Sequence, residues 1–330
     1  MNEPIRVAVA GAAGQISYAL LFRIAAGGMF GPDRPVTLRL LETPKAMPLL
    51  ETMVVELTDC SFPLLSSVRA TVDALAAFDQ ADWIILLASA PYRPGITRSD
   101  LLRDNAPIFQ QQGCAINEAA PSARILTVAN PCNTNCLIAH SVARNVPVDH
   151  WFAMTRLEQN RARSLLAEKA GVHADQVTRV TVWGNRSPTI YPDFHNAWIG
   201  DRPAPEVIHD RDWVRDVFEP TVAYRGRKLT QARGSSPAGS AAQAIIGTIR
   251  SLTTPTPYEH RFSVAAVSDG SYGVPRNLVF SFPVRTEDGK TWSIVQNLYH
   301  DQYAQERIRA NVAELEYEAS AVTDLLGRHC

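Results

Sequence analysis

The hydrophobic pattern at the start of the chain changes from a strand-like run to a helical spacing across a short glycine turn. Ile5–Ala10 is a short, mostly apolar run with the composition of a β-strand, and the glycine turn Gly11–Gly14 follows it directly. Beyond the turn, Ile16, Leu20 and Ile24 recur four residues apart, which is the spacing of one helix face. The pattern therefore predicts a strand, a tight turn and a helix.

Further apolar runs repeat this alternation as far as residue 155. An unalternated run such as Trp83–Ala88 is typical of a strand buried on both faces of a parallel sheet. The other predicted strands are Val36–Leu41, Val68–Thr71, Ile125–Ala129 and Phe152–Thr155, and two of the predicted helices are Pro48–Leu57 and Ser99–Glu118. Sixfold β/α alternation predicts an α/β fold, with a Rossmann doubly wound parallel sheet over residues 1–155.

The second half of the chain mixes helices with a hairpin. The predicted helices are Arg156–Gly171, Trp213–Tyr224, Ala238–Leu252 and an amphipathic closing helix, Gln302–Leu326. The predicted strands are Val177–Trp183 and the hairpin Leu278–Val284 with Thr291–Val295. Because 330 residues exceed the usual size of a single core, we expect a separate α+β domain over residues 156–330.

The glycine turn is a candidate phosphate site. In an open α/β sheet, backbone N–H groups at the start of the first helix face a pyrophosphate, with Gly11 allowing the sharp turn and Gly14 the close approach. Ser17 occupies the third small position. A plain tight connection would have the same composition, but Glu42 ends the second apolar run, where an acid accepts hydrogen bonds from both ribose hydroxyls and repels a 2′-phosphate. The glycine turn and Glu42 together favour NAD over NADP.

Composition narrows the possible partners. Hydrophobic residues make up 46%, charged residues 20%, and the formal net charge is −1, so we expect neither nucleic acid nor an anionic membrane as a partner. Without a signal pattern or a long apolar run, we expect a cytoplasmic protein. Five cysteines suggest free thiols in a reducing compartment. Cys132 and Cys136 lie four apart, but no second pair or histidine cluster accompanies them, so we expect no metal site.

Two segments that follow predicted strands are candidates for contacts with substrate. Residues 89–98 form a loop that contains prolines, a glycine and two arginines, which suits a substrate lid or a solvated connection. Asn130 precedes a proline at the end of another strand. An amide there can reach the cofactor and substrate crevice, although asparagine also suits a plain turn.

Several motifs, in order along nearly the whole chain, resemble the cytosolic-type malate dehydrogenases of the lactate/malate dehydrogenase superfamily. They include Gly11-Ala-Ala-Gly-Gln-Ile, Asp59-Cys-Ser-Phe-Pro, Asn130-Pro-Cys-Asn-Thr-Asn, Met154-Thr-Arg-Leu, Thr181-Val-Trp-Gly-Asn, Gln231-Ala-Arg-Gly and Tyr272-Gly-Val-Pro. The resemblance implies the family's fold, NAD as cofactor, a small anionic substrate and a homodimer whose contacts involve helices of both domains. The cofactor contacts it implies are Gly11, Gly14, Gln15, Ile16, Glu42, Asn105, Gln112 and Asn130.

The chain departs from this family at the reaction centre. Arg186 stands where the family has the histidine that takes the hydroxyl proton, and Glu158 stands where it has the aspartate that orients that histidine. Because the pKa of arginine exceeds 12, Arg186 is not expected to act as a general base. A buried guanidinium requires a partner, so we expect an ion pair between Glu158 and Arg186.

The substrate-binding arginines are also altered. Of the family's three carboxylate-binding arginines, two match Arg98 and Arg161, whereas the remaining one falls on Tyr92, with Arg93 beside it. A tyrosine donates one neutral hydrogen bond where a bidentate arginine is expected, which argues against ordinary recognition of malate.

Two hypotheses remain open at this point. In the first, the protein is an NAD-dependent oxidoreductase for another anionic 2-hydroxy or 2-oxo acid. Arg186 would then stabilise the developing alkoxide, or bind an extra phosphonate or sulfonate group, and Asn130 would touch substrate and nicotinamide. In the second, the protein binds the nucleotide but has lost redox catalysis and has a regulatory, partner or non-redox role.

Overall fold

The computed structural model describes residues 3–90, 95–327 and 330, and its α/β chain divides into two compact units. The first unit comprises the described residues of Met1–Ala153 and of Tyr317–Cys330, and the second is Met154–Glu316. The predicted boundary after residue 155 lies close to this division. The segment from Tyr317 onwards groups with the first unit, although the sequence analysis assigned it to the second domain.

The first unit contains a parallel sheet whose strand order is β3-β2-β1-β4-β5-β6. Its strands are β1 (Ile5–Ala10), β2 (Val36–Leu41), β3 (Leu65–Thr71), β4 (Trp83–Leu86), β5 (Arg124–Thr127) and β6 (Trp151–Ala153). Its helices are α1 (Gln15–Ala25), α2 (Met47–Asp59), α3 (Ala74–Phe78), α4 (Arg98–Ala119) and α5 (Cys132–Val142). This order confirms the predicted doubly wound sheet, and the fully buried run in β4 agrees with burial on both faces.

The second unit combines helices with short antiparallel strands. Its helices are α6 (Arg156–Ala170), α7 (Ala204–Val207), α8 (Arg211–Trp213), α9 (Glu219–Arg233), α10 (Ala238–Thr253) and α11 (Gln302–Ser320), of which α11 ends in residues grouped with the first unit. Its strands are β7 (Val177–Thr178), β8 (Thr181–Trp183), β9 (Tyr191–Asp193), β10 (Trp198–Ile199), β11 (Arg202–Pro203), β12 (Phe262–Val267), β13 (Val279–Thr286) and β14 (Trp292–Ile294). A five-residue π-helix, Val214–Phe218, precedes α9. Antiparallel pairing of β13 with β14 confirms the predicted hairpin.

Several elements of the second half differ from the prediction. The predicted strand Val177–Trp183 is divided into β7 and β8, because Arg179 has a φ of 55° that interrupts extended backbone. The closing helix ends at Ser320, and a short 3₁₀ turn, Thr323–Leu325, follows. Strand β12 was not predicted, since its small alanines suit a buried helix as well as a strand.

The prediction of five free thiols is wrong. Cys114 and Cys330 form a disulfide across a sequence separation of 216 residues, whereas the thiols of Cys60, Cys132 and Cys136 take no part in a disulfide. Spacing could not reveal a pair so far apart. Burial raises the pKa of the Cys136 thiol to about 12. Within the described ranges, no three His, Cys, Asp or Glu side chains group as metal ligands, and no helix is long and apolar enough to cross a bilayer.

Gly184 follows β8 at a point where the backbone and a neighbouring side chain both require glycine. Its φ is 98°, and a Cβ added there would lie 2.0 Å from Asn311 Oδ1 and 2.1 Å from Asn311 Cγ. Asn311 is fully buried, so it has little freedom to move aside. Gly31 has the same φ of 98°, but no described atom lies within 4 Å of its added Cβ.

We predict that Gly184→Ala lowers the free energy of unfolding much more than Gly31→Ala. The backbone conformation costs about 1–2 kcal/mol in both variants, and overpacking against Asn311 adds about 1–3 kcal/mol in the first. Urea unfolding followed by circular dichroism measures both losses. Equal losses in the two variants would show that the Asn311 contact contributes nothing.

Candidate active site

The glycine turn after β1 is held by close backbone contacts. Gly11 has a φ of 78°, and a Cβ added there would lie 2.5 Å from the backbone nitrogen of Ala88. The Ser17 hydroxyl donates a 2.8 Å hydrogen bond to the Gly11 carbonyl. A side chain at position 11 would collide with the Ala88 backbone in the segment after β4, so only glycine fits this turn. The hydroxyl of Ser17 links α1 to the turn by its hydrogen bond.

The N-terminus of α1 presents backbone donors beside this turn. Gly14 is the capping residue, Gln15 is exposed and Ile16 is half-buried. The first turn contains no acidic residue that would repel an anion. The residues present therefore fit the pyrophosphate of a dinucleotide, which would accept hydrogen bonds from the backbone N–H groups.

Glu42 follows β2 directly and contacts the same turn. Its Oε2 accepts a 3.0 Å hydrogen bond from the Ala13 backbone, and its Oε1 accepts a 2.9 Å bond from the Thr43 backbone. These bonds fix the carboxylate of a half-buried side chain. A carboxylate has about four acceptor positions, so Glu42 retains the capacity to accept hydrogen bonds from ribose hydroxyls.

The three predicted amide contacts differ in accessibility. Asn130 is exposed shortly after β5. Asn105 is fully buried, where its Oδ1 accepts a 2.7 Å hydrogen bond from the Ala90 backbone and its Nδ2 donates a 2.9 Å bond to the Asn130 carbonyl. Gln112 is 5% exposed, and its Oε1 has no hydrogen-bond partner in the described part of the chain. Asn105 thus holds two segments near the carboxyl ends of the strands, and the predicted cofactor contacts of all three remain predictions.

Arg98 is oriented by an acid that the sequence analysis missed. It begins α4, where Thr97 and Asp100 form a capping box. Arg98 Nε donates a 2.6 Å hydrogen bond to Glu318 Oε1, and the Thr134 hydroxyl donates to Glu318 Oε2. The signal was present in the sequence, because Glu318 lies on the stripe of α11 that also carries Ile308 and Leu315. The neighbouring candidates Tyr92 and Arg93 lie outside the described residues.

The second unit contains the ion pair predicted between Glu158 and Arg186. Glu158, in the first turn of α6, accepts a 3.1 Å hydrogen bond from Arg186 Nε at its Oε2 and another of 3.1 Å from Arg161 Nη1 at its Oε1. The side chains are 6%, 13% and 9% exposed for Glu158, Arg186 and Arg161, respectively. The Glu158–Arg186 pair is confirmed, and Arg161 shares the same carboxylate.

Burial and charge act together on Arg161. Burial lowers the pKa of its guanidinium, Glu158 opposes that shift, and the positive charges of Arg186 and Arg225 reinforce it. The carboxylate stabilises two guanidinium groups, so the cluster retains an excess of positive charge. Such an excess in a poorly hydrated place favours an anionic ligand.

A polar network holds the loop that carries Arg186. The Asn185 backbone donates a 2.8 Å hydrogen bond to Asn311 Oδ1, and Asn185 Nδ2 donates a 2.9 Å bond to Glu314 Oε2. Thr189 Oγ1 donates a 2.6 Å bond to the same Glu314 oxygen, and the Ser187 hydroxyl contacts it as well. Arg186 is therefore flanked on both sides by residues fixed to α11. This network was not predicted, because no pattern within a single sequence indicates a contact between positions about 125 residues apart.

Comparison with known proteins identifies both halves of the chain. Residues 5–149 match the lactate/malate dehydrogenase NAD binding domain, and residues 155–325 match the lactate/malate dehydrogenase alpha/beta C-terminal domain. The cofactor of this fold is NAD, in agreement with the glycine turn and Glu42.

Two solved structures illustrate the similarity. Malate dehydrogenase from Naegleria fowleri is 39% identical, with a TM-score of 0.94 over 99% of this chain and 100% of that one. Lactate dehydrogenase from Trichomonas vaginalis, in complex with NADH and oxamate, is 32% identical, with a TM-score of 0.93 over 97% of this chain and 98% of that one. On these matches, which span both domains, the chain belongs to the lactate/malate dehydrogenase family.

Proposed function

We propose that this protein is an NAD-dependent oxidoreductase of the malate dehydrogenase type, acting on an anionic 2-hydroxy or 2-oxo acid other than malate. The observation that carries this proposal is the buried cluster of Glu158, Arg161 and Arg186 in the C-terminal domain. It places cationic hydrogen-bond donors at the motif positions where the family binds and converts its substrate. The family's histidine is absent from this motif, so the acid/base machinery differs.

The proposed chemistry assigns separate roles to the cofactor and to Arg186. When bound, NAD would supply the hydride chemistry: its oxidised form accepts a hydride from the carbon that carries the hydroxyl group, and its reduced form donates one to the carbonyl carbon. Arg186 remains charged near neutral pH, so it would stabilise the oxygen as negative charge develops there, while water takes the hydroxyl proton during oxidation and supplies a proton to the oxygen during reduction. The hydrogen bond from Arg186 Nε to Glu158 fixes the orientation of the guanidinium plane. Both are proposed catalytic residues.

Substrate binding is proposed for the remaining candidates. Arg98 and Arg161 would bind carboxylate groups, while Tyr92, Arg93 and Asn130 would contact the rest of the substrate. Glu318 orients Arg98 as Glu158 orients Arg161. The Trichomonas vaginalis relative was solved with oxamate, a small molecule with a carboxylate group, which supports an acid of similar size here.

The same cluster supports a second candidate function. Because Arg186 pairs with Glu158, neither group is a ready proton acceptor, and loss of a general base typically costs about 10²–10⁴ in rate. The chain would then be a malate dehydrogenase homologue that binds the nucleotide without redox catalysis and serves a regulatory, partner or non-redox role. Ordinary malate turnover at the family's rates is not expected under either function.

A cytoplasmic homodimer of the cytosolic type is part of the proposal. The resemblance to the cytosolic-type malate dehydrogenases carries this part of the proposal. Each unit also has exposed apolar side chains on its helices: Leu49 and Val55 on α2 are 56% and 60% exposed, and Val217, in the π-helix before α9, is 44% exposed.

We predict that NADH is oxidised in the presence of at least one 2-oxo acid in a panel that includes oxaloacetate and phosphonopyruvate. The cationic cluster and the NAD-binding domain both support such a substrate. Absorbance of the reduced nicotinamide measures turnover, and fluorescence of bound NADH measures binding separately. Tight NADH binding without oxidation by any acid would favour the second candidate.

We predict that Arg186→His combined with Glu158→Asp gives little oxaloacetate reduction, and that adding Tyr92→Arg increases it by about tenfold or more. The double change restores the family's proton acceptor and its orienting acid, but it leaves the distal carboxylate without its arginine. Steady-state kcat/KM for oxaloacetate measures both variants. High activity in the double variant would show that Tyr92 does not limit substrate recognition.

We predict that Glu42→Gln shifts the ratio of NADPH affinity to NADH affinity by about ten- to hundredfold towards NADPH. The substitution removes the charge that repels a 2′-phosphate and weakens acceptance of ribose hydroxyls. Fluorescence titration with each nucleotide gives the ratio. Glu51→Gln, on the exposed part of α2, is the matched control because it removes the same charge nearby. An equal shift in both variants would contradict a direct ribose contact.

A further inference from the structure

The C-terminal segment of the first unit, from Tyr317 onwards, lies along α4. The contacts that join the two, in order along both, are Arg98 with Glu318, Gln110 with Leu325, and Cys114 with Cys330. Because this order is the same in both, the segment runs parallel to the helix from Arg98 to Cys114, a distance of about 24 Å. Of these contacts, the disulfide is the covalent one.

Beyond the end of α11, the segment buries little apolar surface. Val322 is fully buried, whereas the described residues that follow it are half-buried or exposed. Gln110 Nε2 donates a 2.6 Å hydrogen bond to the Leu325 carbonyl, and the Gly327 backbone donates a 3.1 Å bond to Ser141 Oγ on α5. With so few buried side chains, the disulfide is the strongest constraint on where the segment lies.

The two cysteines differ in their surroundings. A Cβ added at Gly113, next to Cys114, would lie 2.5 Å from the Ala139 carbonyl oxygen and 2.6 Å from Val142 Cγ2, so α4 and α5 pack closely there. Cys114 is half-buried in this fixed place, whereas Cys330 is exposed. A reductant therefore reaches the disulfide from the Cys330 side. In the cytoplasm, where the proposed function places the protein, disulfides are usually transient or redox-sensing.

We propose that Cys114–Cys330 is a redox modification site, at which a dithiol reductant releases the C-terminal segment and loosens the contact of Glu318 with Arg98. A thiolate of the reductant attacks Cys330 Sγ, a mixed disulfide forms there, and Cys114 leaves as a thiolate that takes a proton. The second thiol of the reductant attacks the mixed disulfide, which releases the Cys330 thiol and leaves the reductant as a disulfide. Two electrons and two protons thus pass to the protein.

The effect on the candidate active site follows from the position of Glu318. This residue lies in the last turn of α11, which ends at Ser320, and the released segment would fray that turn. Glu318 then orients Arg98 less firmly, so an acid bound by Arg98 would bind less tightly. This last step rests on the proposed function, which assigns Arg98 to a carboxylate group of the substrate, whereas the release of the segment does not depend on it.

Hydrogen exchange measured by mass spectrometry tests the release directly. The protein is equilibrated with oxidised or with reduced dithiothreitol, and titration of thiols under denaturing conditions should find three thiols in the oxidised form and five in the reduced form. Reduction should speed exchange over residues 317–327 by about tenfold or more. Exchange over residues 11–25, which include the glycine turn and α1, should not change.

Variants with a matched control locate the effect. Cys330→Ser should exchange as fast as the reduced protein without dithiothreitol and should not respond to it. Cys60→Ser is the control, because Cys60 is exposed and takes no part in a disulfide, so this variant should respond as the unchanged protein does. For a 2-oxo acid that the protein reduces, reduction or Cys330→Ser should raise KM about three- to tenfold, with the Kd of NADH unchanged.

The outcomes separate this inference from the proposed function. Five thiols in the presence of oxidised dithiothreitol, or a lower melting temperature on reduction without faster exchange of the segment, would overturn the modification site. Faster exchange with an unchanged KM would overturn the step to Arg98. Turnover of an acid with exchange and KM both unaffected would overturn the inference and leave the proposed function standing. Faster exchange with no NADH oxidation by any acid would support the site and contradict the dehydrogenase function.

Discussion

The candidate active site depends on the two hydrogen bonds that the Glu158 carboxylate accepts. This carboxylate accepts from both Arg161 and Arg186, and these three side chains are almost wholly buried. Without it, two guanidinium groups would face each other in a poorly hydrated place, at a cost of several kcal/mol. The position of Arg186 is therefore set from one side by this carboxylate and from the other by the polar network on α11.

The candidate residues for cofactor binding and the Glu158–Arg186 pair lie in different units. In the first unit, Gly11, Ser17 and Glu42 keep the arrangement expected for a dinucleotide, with each contact made to backbone groups. In the second unit, Glu158 and Arg186 have opposite charges and are joined by a direct hydrogen bond. Family membership therefore identifies the nucleotide, whereas the substrate is a proposal.

Local patterns in the sequence predicted the first unit well, because each β/α repeat is short and its burial leaves a clear hydrophobic signature. The Glu158–Arg186 pair was predictable for a different reason, since a buried guanidinium requires an acid. Glu318, Glu314 and the Cys114–Cys330 disulfide were not predicted. Their partners are distant in sequence; the place of Glu318 on the buried stripe of α11 indicates that it needs a partner, but nothing local identifies that partner.

The late position of Glu318 in the sequence has a consequence for folding during synthesis. This residue belongs to the first unit, where it pairs with Arg98 and accepts a hydrogen bond from Thr134, yet it is translated after the whole of Met154–Glu316. A nascent chain that has emerged only as far as Ala153 can pair the strands of its sheet, but it lacks the acid that holds Arg98. The ribosome therefore synthesises the whole of the second unit before the first unit can reach its final folded state.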